Sequence, residues 1–159
     1  MAYNALAGGM LTGKYTDDKP AAALDNVDRE FVIEMIKNPR GRMDDFGWSR
    51  TLYRYRSYAA LSAIKGYEVI AKRAGMSLTE LSLRWCRRQR SLITTTLVGH
   101  TNMEQLQQSI DYFTQSKSLG DDIMWEIDRV HMKNRLPIFS SNRVGKDWDG
   151  EGEIGERIP

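Results

Sequence analysis

Two short apolar runs, residues 2–6 (AYNAL) and 92–99 (LITTTLVG), each lead into glycine, and the chain between them is patterned for helix. Runs of this length and composition read as buried strands that end in loops. Strands joined through helices pair in parallel, because a crossover connection is long enough and a hairpin turn is not. Two parallel strands alone leave open edges and cannot bury both faces, as parallel sheets normally do. The sequence therefore predicts an α/β chain that forms the end of something larger. Its strand edges are expected to be covered by a partner chain or a second copy.

The helices carry clear signals. From Tyr58 to Ala74, Leu61, Ile64, Tyr67, Ile70 and Ala71 share a face opposite Lys65, Glu68 and Lys72, and Gly75 supplies the stop. Ser77 and Glu80 form a capping box, with Met76 and Leu81 as a hydrophobic staple. That helix should turn Leu78, Leu81 and Trp85 inward and keep Arg84, Arg87 and Arg88 wet. With Arg90 these arginines read as a solvated face. A third helix follows a cap at either Thr101 with Glu104 or Asn102 with Gln105, and a fourth lies near 120–133 around Ile123, Ile127 and Val130.

The remaining segments are less regular. Residues 16–58 form a long excursion with one short helix near 28–37, and a loop of that length commonly serves a function. Its aromatics Trp48, Tyr53 and Tyr55 either face a substrate or pack the excursion onto the core. Residues 1–140 then form the folded part, and residues 141–159 are a polar tail rich in glycine and charge.

Composition removes several function classes. At 159 residues the chain is long enough for a core, and its net charge of +2 gives no basis for binding nucleic acid. A single cysteine, Cys86, precludes an internal disulfide and reads as a core thiol. No apolar run spans a bilayer and no signal-peptide pattern follows Met1, so a cytoplasmic chain without membrane insertion is expected. No metal site is predicted.

The glycines after both strands are the chemical signal. AGGMLTGK (7–14) brings exposed backbone beside one fixed cation, and GHTN (99–102) opens a capped helix. Bare N–H groups and a helix N-terminus favour phosphate, since both present positive potential. Neither stretch is a Walker loop, and no G-x-G-x-x-G follows the first strand. A tight turn and an ordinary helix cap are the plainer readings of the same residues.

Taken together, AYNALAGGMLTGKY, GMSLTELSLRWCRRQ, LVGHTNMEQLQQSI and the helix ending IDRVH resemble, in order, the C-terminal part of the aldo-keto reductases. The similarity covers residues 2–137 and is nearest the branch of Tas-like bacterial reductases and potassium-channel β subunits. It implies strands seven and eight, with the following helices, of a (β/α)8 TIM barrel that is incomplete in this chain. It also implies NADPH as cofactor. Tyr3 would stack on the nicotinamide, Asn4 and Leu6 would flank the cofactor, and Gly8 would let the backbone approach. Lys14 would reach the pyrophosphate, while Gly99, Thr101 and Gln105 match the positions that hold the 2′-phosphate.

Some positions depart from the family pattern. Ala5 replaces a usual proline, and Gln108-Ser109 replaces the Glu-Asn that commonly touches adenine. His100 would be a solvent-facing neighbour of the phosphate, and His131 a surface residue. The family's catalytic Asp, Tyr, Lys and His lie in the first half of the barrel, and Tyr3, Lys14 and Tyr15 do not correspond to them, so no catalytic residue is assigned here. The implied function is the cofactor-binding part of an oxidoreductase that reduces a small carbonyl substrate to an alcohol by hydride transfer, inactive by itself. A non-catalytic NADP(H)-sensing or interaction module, or a truncated relic, are the alternatives.

Overall fold

A computed structural model describes residues 1–16, 37–45, 48, 52–55, 57–89, 91–115 and 118–135. The described chain carries four α-helices: α1 (Tyr58–Arg73), α2 (Leu78–Arg88), α3 (Met103–Thr114) and α4 (Asp121–His131). Short 3-10 segments occupy Ala7–Thr12 and Tyr53–Tyr55. The helix expected near 28–37 falls, apart from Lys37, outside the described residues, as does the tail at 141–159.

The predicted strands meet, though briefly. Ala2 and Thr96 form a parallel bridge, with Ala2 N–H donating to Thr95 at 2.8 Å and Leu97 N–H to Ala2 at 2.9 Å. Among the described residues this is the only β pairing, so the strands expected over 2–6 and 92–99 shrink to one rung. The backbone gives the reason. Asn4 and Ala7 take φ of 56° and 49°, which turns the chain away just past the bridge.

Four of the helix boundaries follow directly from the sequence. Ser57 Oγ accepts from the Ala60 N–H at 3.2 Å and starts α1. Gly75, at φ 67°, ends it: Gly75 N–H donates to Lys72 and Met76 N–H to Ala71, the paired bonds of a Schellman cap. Ser77 Oγ then accepts from the Glu80 N–H at 3.1 Å to open α2. Of the two caps available to α3, the structure uses Asn102, whose Oδ1 accepts from the Gln105 N–H at 2.9 Å.

α1 packs against α4 and α2, and α2 packs against α3. The core gathers Ile64, Ile70, Leu78, Leu81 and Ile127 with Met10, Tyr15, Met43 and Leu52 from the loops. At the α1–α4 crossing Gly66 is bare, since a Cβ there would lie 3.0 Å from Val130 Cγ1.

The solvated arginine face is corrected at Arg84, while Arg88 is exposed, as expected. Arg84 is only 6% exposed, pairs with Glu80 at 2.6 Å, and donates to Gln115 Oε1. Arg87 donates to the Gln115 carbonyl and Arg88 pairs with Asp121 at 2.9 Å. The end of α3 lies over Arg84, and all three side chains bond the end of a neighbouring helix. Arg90 lies outside the described residues.

Candidate functional site

The glycine loop is wound on itself. Asn4 Oδ1 accepts from the Gly8 N–H at 2.8 Å, and Asn4 Nδ2 donates to the Tyr55 hydroxyl at 3.3 Å. Ala7 N–H donates to the Asn4 carbonyl, and the N–H groups of Gly9 and Leu11 both donate to Leu6. Gly8 adopts φ 67°, and a Cβ there would lie 2.5 Å from Leu52 Cδ1. The exposed N–H groups expected of this loop are therefore corrected. These amides are satisfied internally, and positive potential must come from side chains.

Those side chains converge from two directions. Lys14 runs over bare backbone: a Cβ on Gly9 would lie 3.2 Å from Lys14 Cε, and one on Gly41 2.2 Å from its Nζ. Lys14 Nζ donates to the Arg40 carbonyl at 3.0 Å, which leaves two of its three protons for other acceptors. Burial holds this ammonium below the usual lysine range; Asp44 opposes that shift, and Arg40 and Arg42 add to it. The Arg42 guanidinium lies 4.9 Å from the Trp48 ring centroid, and its Nη2 comes within 3.6 Å of where a Gly99 Cβ would be. Residues 40–42 thus reach from Lys14 of the first loop to Gly99 of the second.

The second loop is exposed and ordered. Gln105 Oε1 accepts from both the N–H and the hydroxyl of Thr101, each at 3.0 Å, so Gln105 keeps its amide N–H groups for an outside acceptor. His100 corrects the expectation of a solvent-facing ring. It is half-buried, and its Nε2 is covered without a hydrogen-bond partner among the described residues. His131 is at the surface, as expected.

A model of the aldo/keto reductase family matches residues 1–131. The chain belongs to the aldo/keto reductase family. It is 30% identical over 138 residues to Protein tas of Escherichia coli (strain K12), covering 86% of this chain and 33% of that protein. It is 32% identical over 139 residues to an aldo-keto reductase of Babesia bovis, covering 87% of this chain and 42% of the relative. Aflatoxin B1 aldehyde reductase member 2 of Rattus norvegicus matches at 32% identity over 120 residues, or 69% of this chain and 28% of the relative. The chain thus spans well under half the length of the curated relatives it matches.

Aldo/keto reductases are oxidoreductases of (β/α)8 fold that use a nicotinamide cofactor and act on carbonyl compounds in general. The donors present fit the phosphates of such a cofactor. Lys14 and Arg42 are cations on either side of residues 40–42, and Gln105 offers an amide beyond them. Tyr3 is 74% exposed, which leaves a ring face open for stacking. Leu6 is half-buried at the start of the 3-10 segment.

Sequence reading missed Arg42, together with Arg40 and Asp44 behind it. Their signal was NPRGR at 38–42, where two arginines flank a turn glycine.

An apolar cavity of about 360 Å³ adjoins the glycine loop, lined by Tyr3, Asn4, Tyr55, Tyr67, Trp85 and Cys86. Burial pushes the Cys86 thiol up, which leaves it a poor nucleophile, as expected of a core cysteine. Tyr15 is fully buried and accepts from the Met43 N–H at 3.3 Å. Among the described residues no group of His, Cys, Asp and Glu could hold a metal, and no helix is long and apolar enough to cross a membrane.

Proposed function

We propose that this chain is the cofactor-binding part of an NADPH-dependent aldo-keto reductase, acting in the cytoplasm on a small carbonyl compound. The carrying observation is the run of residues 40–42 from the Lys14 ammonium to Gly99, with Arg42 at its far end. Lys14 would hold the pyrophosphate, and Gly99, Thr101 and Gln105 the 2′-phosphate, with Arg42 between them. Tyr3 would stack on the nicotinamide, Asn4 and Leu6 would flank the cofactor, and Gly8 would let the backbone close beneath it. The Arg42 guanidinium beside Gly99 favours NADPH over NADH, because the extra 2′-phosphate adds charge where that cation already lies. Bound NADPH supplies a hydride to the carbonyl carbon.

Among the described residues we assign no donor for the proton that reduction also requires. Tyr15 is sealed in the core, and Lys14 is on this reading taken up by the cofactor's pyrophosphate. Turnover then depends on residues contributed by a partner chain, and the chain alone is inactive.

The test is a titration of NADPH and NADH against tryptophan fluorescence of the purified chain. Saturable binding is expected, tighter for NADPH by about tenfold or more, and lost by a similar factor in Lys14→Ala. A chain that melts cooperatively yet binds no NADPH at millimolar concentration would overturn the reading.

A further inference from the structure

A buried carboxylate needs compensation, and Asp44 is only 1% exposed. Its oxygens take three donors from Arg40. Nε at 2.7 Å and the backbone N–H at 3.2 Å reach Oδ2, and Nη2 at 3.2 Å reaches Oδ1. Held by this fork, the Arg40 guanidinium lies 5.1 Å from the Tyr15 ring centroid, and its Nη1 donates to the Lys14 carbonyl at 3.1 Å. In return Lys14 Nζ donates to the Arg40 carbonyl and lies 5.1 Å from the same ring. Residues 14 and 40 clasp each other beside Tyr15, and Asp44 locks the clasp.

We propose that Asp44 is a positioning residue which, acting through Arg40, presents the Lys14 ammonium as a preformed donor to an anion of the pyrophosphate class. The inference rests on the phosphate reading of the glycine loop given above. Without Asp44, Arg40 would be a loose second cation beside Lys14; with it, Arg40 is neutralised, oriented and able to offer its carbonyl. The seat at Gly9 and Gly41 then fixes the direction of the lysine.

The experiment reads Lys14 directly. Among the described residues, the charged and titratable groups around it are Asp44, Arg40, Arg42 and Tyr15. In Asp44→Asn, followed by NMR of the Lys14 side chain, the ammonium is expected to titrate at lower pH, because the Asp44 carboxylate that favours its charged form is gone. Inorganic pyrophosphate and NADP+ should bind about tenfold more weakly, whereas in a Lys14→Ala background the same change should add less than about twofold. Should Asp44→Asn fail to fold, Arg40→Lys keeps the charge but loses the fork, and the same tenfold loss is expected.

An unchanged Lys14 titration, or losses that add fully in the double variant, would overturn the proposal and leave Asp44 a purely structural group. A Lys14 titration that moves in a chain binding neither pyrophosphate nor NADP+ would keep the positioning role and remove the cofactor reading instead.

Discussion

The Lys14 ammonium lies against the backbone of Gly41, with 2.2 Å between its Nζ and the place a Cβ would take. Residues separated by a long stretch of sequence are thus fitted to one another as cation and seat, and the fit fixes where positive charge appears at the glycine loop. A Cβ at Gly41 would also lie 2.7 Å from the Tyr15 hydroxyl. Gly41→Ala should therefore drive Lys14 off its seat and weaken pyrophosphate or NADPH binding by about tenfold. Equilibrium dialysis checks it; unchanged affinity would show that the lysine's placement is immaterial.

Tyr15 provides a pH prediction. Burial raises its pKa from 10.0 to about 12, opposed in part by the Met43 N–H. A tyrosine harder to ionise when folded contributes stability that is complete below its unfolded pKa and is lost as pH climbs towards the folded one. Stability from this group should thus fall between pH 10.0 and about 12. Ultraviolet absorbance should show one tyrosinate forming only near the top of that window, or with unfolding. A Tyr15 that titrates with the exposed Tyr3 would contradict the burial.

The cap at Ser77 is directly testable. Its hydroxyl satisfies the Glu80 N–H, so Ser77→Ala should cost about 1 kcal/mol, within roughly 0.5–2, while Ser77→Asp should cost little. Urea unfolding followed by circular dichroism separates the two. Equal losses would mean that the hydroxyl contributes nothing as a cap.

Cys86 should be inert. It is buried, and its thiol is held above the ordinary range by that burial. Reaction with a disulfide reagent at neutral pH should run at least about tenfold slower than in the urea-unfolded chain. Comparable rates would place the thiol in solvent.

How much of this was legible in the sequence depended on whether the signal was local. Ser77, Asn102 and Gly75 mark helix ends through bonds made within four residues, and all three appear where the pattern placed them. Lys14 beside its glycines was legible for the same reason. Arg84 was misread because helical periodicity reports which face is apolar. It cannot report that Gln115, from the end of another helix, covers a charged face and bonds it. The clasp of Lys14, Arg40 and Asp44 was invisible because its pairing spans a loop of no fixed period. The extent of the strands was overestimated: Asn4 is of a type that takes positive φ readily and was a signal passed over, whereas positive φ at Ala7 has no signature.

The Thr101–Gln105 pair has a kinetic consequence. Because Gln105 Oε1 already holds both Thr101 donors, the turn ahead of α3 is in place before anything arrives. A ligand docking there would exchange one side-chain contact for another, a motion of picoseconds to nanoseconds, and would not wait for a segment to fold. Arrival at this loop should accordingly be paced by diffusion and charge, and departure by the strength of the contacts.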